Sequence, residues 1–307
     1  MSDVAVPSSA AGPDVVPDRE TRLRELRGRL ASGERFRGPL ASSFYNAVHA
    51  IDPTATEDTI APLTGNGQVN IYRSLLAWAS IMPGERIIDI GCGSGGAARA
   101  AADIVGPTGM VVGIDPCART LEVARQRTPD DLPIAYINVA AERMVGIEDK
   151  GFDCAVASLS LEEFQDLPAA LTEIRRVLRP GGRFVASVSA FDRLRPVDSA
   201  FMGAVMAVIA RHVPAGLSGR ATRASIPLEP DDARAFSDAG FLRPEERDVQ
   251  LPAILETEDD AWALFGRTHI AYMLDEEGQE DLRATLARRV PQTIYIPLRF
   301  LRSRRPG

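Results

Sequence analysis

Between Arg86 and Ser189 the chain alternates short, wholly apolar runs with longer stretches in which apolar residues return every three or four positions. The runs Arg86–Ile90, Met110–Ile114, Ile134–Asn138, Cys154–Ser158 and Arg183–Ser189 show almost no polar alternation. Strands of that kind are buried on both faces, which requires helices above and below a parallel sheet. The intervening Gly95–Ile104, Ala118–Gln126 and Leu167–Leu178 have helical periodicity, and the last stops at Pro180-Gly181-Gly182. The pattern predicts an α/β fold with helices on both sheet faces.

Outside this block the rhythm changes. Residues 1–18 are rich in Ser, Ala, Pro and Asp and predict a disordered tail. Residues 19–31 predict a helix with Leu23, Leu26 and Leu30 on one face. Further helical stretches from Ser42 to Met82 are broken at Asp52-Pro53 and at Leu63-Thr64-Gly65-Asn66-Gly67. Residues 19–82 therefore predict a helical cap, and 83–307 the α/β domain. Residues 191–229, an apolar helix (Met202–Val213) followed by a Gly/Ser/Pro loop, predict an insertion in that domain. A helix Pro230–Ala239 closed by Gly240 leads to a strand at Glu246–Leu251. Helices over about 258–274 and 277–289 precede a last β-rich run, Thr293–Phe300.

Composition narrows the chemistry. The net charge of -7 over 307 residues argues against nucleic acid as a partner, since such binding needs a basic surplus. Lys150 is the only lysine, and the arginines at 19, 22, 24, 27 and 29 alternate with Glu20 and Glu25 as on a solvated helix face. Cys92, Cys117 and Cys154 lack metal-site spacing, and His49, His212 and His269 lie far apart, so no metal is expected. With no apolar run of about 20 residues and no basic flank at the start, the expectation is a cytoplasmic protein without a membrane span.

The sharpest motif is Ile87-Ile88-Asp89-Ile90-Gly91-Cys92-Gly93-Ser94-Gly95-Gly96, where a strand meets a helix. Glycines let the backbone turn tightly and approach a ligand, and the helix that follows offers free N–H groups and a positive dipole end. Gly91, Gly93 and Gly96 also satisfy G-x-G-x-x-G, the dinucleotide pattern. Asp89 argues against a dinucleotide, because a carboxylate beside the loop repels a pyrophosphate and suits a ligand bearing an ammonium and a sulfonium.

The loop resembles motif I of class I S-adenosylmethionine-dependent methyltransferases. Val111-Val112-Gly113-Ile114-Asp115, Phe152–Ser158 and Leu178-Arg179-Pro180-Gly181-Gly182-Arg183-Phe184 are similar to that family's second strand, fourth strand and turn into strand five. The likeness covers residues 85–190 and, more loosely, Pro230–Leu301, and is nearest the small-molecule branch of ubiquinone/menaquinone-type C-methyltransferases and natural-product methyltransferases. It implies a Rossmann-like seven-stranded sheet, mostly parallel, whose last strand runs antiparallel between its neighbours. It implies S-adenosylmethionine as cofactor, with S-adenosylhomocysteine as product. The positions matching the cofactor site are Asp89, Gly91, Cys92, Gly93, Gly95, Asp115, Pro116, Ala141, Glu142 and Ser158.

Two departures stand out. The family's Gly-Asp-Ala-Glu after strand three is Asn138-Val139-Ala140-Ala141-Glu142 here, so Glu142 or the Ala141 backbone must meet the adenine amine. A histidine pair after strand four is replaced by Glu162-Glu163, which puts Glu162 where a general base stands. His212, before Val213-Pro214 on the insertion, is the second acid–base candidate. The acceptor side is expected among Phe44, Tyr45, His49, Phe191, Met202, Met206, His212, Trp262, Phe265, His269 and Tyr272. This mixture suggests an apolar or aromatic small-molecule acceptor in secondary metabolism, with a homodimer left open. The competing expectation is a scaffold that binds S-adenosylmethionine but catalyses a cyclisation or elimination, or only binds.

Overall fold

Apolar strands that hide both faces need a layer of helices on each side, and the computed structural model shows how the chain supplies them. It describes residues 39–60, 71–213, 230–266 and 274–307, with Thr21, Glu25, Gly28, Arg29, Ser32 and Ala271. The first elements are helices α1 (Pro39–Ile51), α2 (Ala55–Ile60) and α3 (Ile71–Ala79). The α/β block runs β1 (Arg86–Ile90), α4 (Gly96–Val105), β2 (Met110–Ile114), α5 (Ala118–Arg127), β3 (Ile134–Ile137) and β4 (Phe152–Ser158). It continues with α6 (Leu167–Val177), β5 (Leu178–Ser189), α7 (Pro196–His212), α8 (Pro230–Asp238) and β6 (Glu245–Leu255). Helices α9 (Glu258–Phe265) and α10 (Glu276–Ala287) precede β7 (Gln292–Arg304).

The seven strands form one sheet in the order β3-β2-β1-β4-β5-β7-β6. Strands β1 to β5 pair in parallel, as their apolar runs predicted, and β7 runs antiparallel between β5 and β6, as the family resemblance implied. The order reverses between β1 and β4, so their carboxyl ends open a crevice where an open α/β sheet takes its ligand. The alternating side chains of the strands feed two cores. Ile87, Val111, Val156 and Val185 pack with α3, α4 and α7 on one face. Ile88, Ile90, Ala155 and Phe184 pack with α6 and α8 on the other.

Some boundaries differ from the sequence reading, for local reasons. Strand β5 starts at Leu178 rather than Arg183, because the Gly181 amide and the Gly182 carbonyl bond the Arg305 backbone (3.1 and 2.9 Å) and carry the pairing through the Pro-Gly-Gly turn. For the same reason β7 runs on past Phe300 to Arg304. Helix α7 begins six residues before Met202, since Pro196 takes the first helical turn, where a missing N–H costs nothing. Helix α9 ends at Phe265, before Gly266. The expected tail, most of the helix at 19–31, the break at 63–67, most of the loop after Val213, and His269 and Tyr272 lie outside the described residues. Among the described residues no helix is long and apolar enough to cross a membrane.

Candidate functional site

At the carboxyl end of β1 the chain must leave the sheet and enter α4 within a few residues. The Gly91 and Cys92 amides both donate to the Ile114 carbonyl (2.8 and 2.9 Å), folding the loop back over β2. Gly91 has φ +69°, and a Cβ there would stand 2.6 Å from the Ser160 Cβ. Only glycine serves at that position, on both conformational and steric grounds. Ser160 reciprocates by donating its hydroxyl to the Ile90 carbonyl at 2.6 Å, which ties the β4 exit to the β1 exit.

Two carboxylates stand at this crevice in opposite conditions. Asp115, at the end of β2, accepts bonds from the Gly93 amide (2.9 Å), the Cys117 amide (2.8 Å) and the Thr120 hydroxyl (3.1 Å). Asp89 is 2% exposed, and among the described residues neither of its oxygens makes a hydrogen bond. Burial, followed by the charge of Asp115, lifts the Asp89 carboxyl to about 7, against the pull of the Ala98 amide and Arg99. A buried carboxylate with no partner is costly unless something else supplies the donor.

Around these groups lie two adjoining cavities of about 500 and 460 Å³ that share His49, Gly91, Asp115, Ser160 and Glu163. The first is completed by Pro116, Val139 to Glu142, Phe164 and Gln165, with Ser42 and Asn46 of α1. The second is completed by Asp89, Cys92, Gly93, Ser94, Gly96 and Ser158, with Thr56 and Glu57 of α2 and Tyr72 of α3. Helices α1 to α3 thus form one wall of the site. Glu57 holds α2 to the loop, bonding Arg99 at 2.7 Å and the Ser94 hydroxyl.

Most residues singled out in the sequence meet here. Asp89, Gly91, Cys92, Gly93, Asp115 and Ser158 line the second cavity, and Pro116, Ala141 and Glu142 the first. Glu142 also accepts the Gln165 and Asp166 amides through Oε1 (2.6 and 3.3 Å), so it braces the loop before α6. Gly95 caps α4 with φ +88° beneath the Tyr136 hydroxyl and is not among the lining residues. Glu162 turns away from the cavities and accepts the Ser189 amide at 2.9 Å. His212 sits between α7 and α10, with Nε2 3.1 Å from Asp281 Oδ2, apart from both cavities.

Of the acceptor-side candidates, Phe44 and Phe265 lie in the core and Met202, Met206 and Trp262 pack against it. The Arg283 guanidinium covers the Trp262 ring at 4.1 Å. His49 stands at the junction of the cavities, one helical turn after Tyr45. Glu163, passed over in favour of its neighbour, lines both cavities. Burial, then Asp115 and Glu162, push the Glu163 carboxyl well above the usual range. The signal for this pair was modest: a Tyr and a His four apart on one face of an apolar helix.

Comparison with known proteins agrees with this geometry. Residues 88–186 match the methyltransferase domain family. The chain is 35% identical over 230 residues to the uncharacterized 37.1 kDa protein in transposon TN4556 of Streptomyces fradiae, covering 72% of this chain and 60% of that protein. It is 35% identical over 138 residues to the 2-phytyl-1,4-naphtoquinone methyltransferase of Trichormus variabilis, covering 44% of this chain and 58% of that enzyme. The chain thus spans about three-fifths of the length of these curated relatives. Among solved structures, Haemonchus contortus phosphoethanolamine N-methyltransferase 2, in complex with phosphomonomethylethanolamine and S-adenosylhomocysteine, superposes with TM-score 0.53 at 17% identity, covering 86% of this chain and 60% of that one. A candidate methyltransferase from an antibiotic biosynthesis pathway of Anabaena variabilis gives TM-score 0.54 at 19% identity, covering 75% and 96%. At such identities these two likenesses establish the fold.

Proposed function

We propose, for a chain whose residues 88–186 match the methyltransferase domain family, that it is a class I S-adenosylmethionine-dependent enzyme transferring a methyl group to a small apolar or aromatic acceptor. The observation that carries this reading is Asp89: a buried carboxylate, neither oxygen hydrogen-bonded among the described residues, at the wall of a cavity of about 460 Å³. A ligand ammonium supplies what Asp89 lacks, and charge-assisted bonds of this kind are the strong ones. The residues present therefore fit the cofactor.

When bound, the cofactor supplies a methyl carbon already activated by its sulfonium. The chain's own part is binding, alignment and exclusion of water. Asp115, oriented by three donors, has one lone pair left on Oδ2, which would take a ribose hydroxyl. The N-terminus of α4 and the loop amides face a carboxylate. Glu142 keeps one oxygen for the adenine amine, beside the Ala141 backbone and against Phe164. The segment containing α1 and α2 acts as the cap that closes the cleft. The quinone methyltransferase relative and the antibiotic-pathway neighbour support an aromatic acceptor and a natural-product setting. A small molecule rather than nucleic acid is favoured by the described lining residues, which include no Lys or Arg.

Calorimetric titration with S-adenosylmethionine, S-adenosylhomocysteine and NAD tests the cofactor. The expected result is binding of the first two only, weakened about 10- to 100-fold in Asp115→Ala through loss of charged hydrogen bonds. Binding of NAD alone overturns the proposal.

A further inference from the structure

The walls of the two cavities are electrically one-sided. Five carboxylates line them: Glu57, Asp89, Asp115, Glu142 and Glu163. Arg99 and Arg127 reach Glu57 from outside the lining, at 2.7 and 3.3 Å. Among the described lining residues His49 is the only basic side chain, and it stands where the cavities join. Its ring is oriented: Nε2 lies 3.0 Å from the Thr56 hydroxyl, while Nδ1 has no hydrogen-bond partner among the described residues. When Nε2–H donates to Thr56, Nδ1 keeps its lone pair and is an acceptor on a residue that lines both cavities.

We propose that His49 is the proton acceptor of the methyl transfer, and that the cleft selects acceptors that enter uncharged with an ionisable hydroxyl. The inference rests on the methyltransferase reading above. In the step, the acceptor oxygen forms a bond to the methyl carbon as the carbon–sulfur bond breaks. The electron pair of that bond leaves with sulfur, giving the thioether. The acceptor's proton passes to His49 Nδ1, giving an imidazolium.

The surroundings suit both states of the ring. Burial lowers the His49 pKa, against the opposing charges of Asp115 and Asp52, so the ring is neutral and ready at pH 7. Once charged, it is met by Asp115 from the end of β2 and Asp52 just beyond α1, with Glu57 and Glu163 lining the same cavity. An acceptor bearing a carboxylate or phosphate would find acidic side chains and no Lys or Arg among the described lining residues, which disfavours it.

The test uses three naphthalene probes on the full chain loaded with S-adenosylhomocysteine: 1-naphthol, 1-naphthoate and protonated 1-naphthylmethylamine. Calorimetry should show 1-naphthol binding and 1-naphthoate at least about 10-fold weaker. The affinity of His49→Gln for S-adenosylhomocysteine is measured alongside, so that transfer is compared with the cofactor saturating in both proteins. With methyl-labelled S-adenosylmethionine and 1-naphthol, His49→Gln should transfer about 100-fold or more slowly at pH 7. In the parent the rate should fall as pH drops and the ring takes up its proton, a limb that His49→Gln should lack, so the deficit narrows in acid; a merely structural role would not produce this profile. Thr56→Val, which frees the ring to change tautomer, should show a smaller loss of the same shape. Equal binding of 1-naphthoate, refusal of all three probes by the loaded chain, or a pH-independent His49→Gln deficit overturns the inference. Failure of S-adenosylhomocysteine to bind the unaltered chain would instead sink the methyltransferase reading beneath it.

Discussion

The two ends of β1 handle buried charge in opposite ways. Glu85, just before the strand, meets Arg183 at 2.9 and 2.6 Å, and the same guanidinium also reaches the Ala79 and Ser80 carbonyls. Burial works to raise Glu85, but the Arg183 bond and the Met82 amide outweigh it and hold the carboxyl below its usual range. Four residues on, Asp89 has no hydrogen bond to either oxygen among the described residues and is lifted to about 7. One end satisfies its charge within the fold and contributes to stability. The other leaves its charge for something outside the fold. The difference teaches that the opening end of this sheet is built for a ligand at the expense of the apo protein.

The largest effect is expected at the paired end. Arg183→Ala strands Glu85 and two backbone carbonyls and should destabilise the chain by about 3–5 kcal/mol in denaturant titration. Because Glu85 is held low, its contribution is present above its usual value and lost as pH falls below it. The difference between variant and parent should therefore narrow in acid. A cost under about 1 kcal/mol would mean that the pair is no better than a surface ion pair, and the contrast between the two ends would collapse.

At the open end the sign reverses. The raised Asp89 costs the folded state nothing below its ordinary value of 3.8, and the penalty grows as pH rises through about 7. Asp89→Asn removes that penalty, so the ligand-free variant should gain about 2–4 kcal/mol at pH 8 and almost nothing near pH 4. The same variant should lose most of its affinity for S-adenosylmethionine. A stabilised variant that still binds normally would show that Asp89 is not the ammonium partner. A destabilised one would show that the carboxylate has a structural partner after all.

The frame of this comparison was readable in the amino-acid order because it is local. Strand β1, its glycine loop and Asp115 follow from short-range rules of burial and turn geometry. The antiparallel position of β7 came through family likeness rather than pattern. Side-chain roles set by distant partners were not readable. His212 pairs with Asp281, 69 residues away, and His49 lies beside Asp115 across the cleft. Adjacent Glu162 and Glu163 are separated by a three-residue helical turn that rotates each residue by about a third of a circle. One therefore points to the Ser189 amide and the other into the cavity, a distinction no periodicity over three residues can reveal.

Glu57 offers the finest discrimination, because it is a paired charge placed at the open end. Its carboxylate meets Arg99 at 2.7 Å, Arg127 at 3.3 Å and the Ser94 hydroxyl, and its side chain is 21% exposed. Glu57→Gln keeps a hydrogen-bond acceptor for Ser94 while removing the charge and the acceptor oxygen that meets Arg99. The expected loss of stability is about 1 kcal/mol, and it should diminish in high salt, since the pair is partly solvated. The informative quantity is affinity for S-adenosylhomocysteine. If α2 holds the loop in its binding form, affinity should fall about 3- to 10-fold along with stability, because binding must then also order the loop. If stability falls and affinity does not, the glycine loop is preorganised by its own bonds to Ile114. Readiness for ligand would then reside in the strand ends, and the helical wall would only cover them.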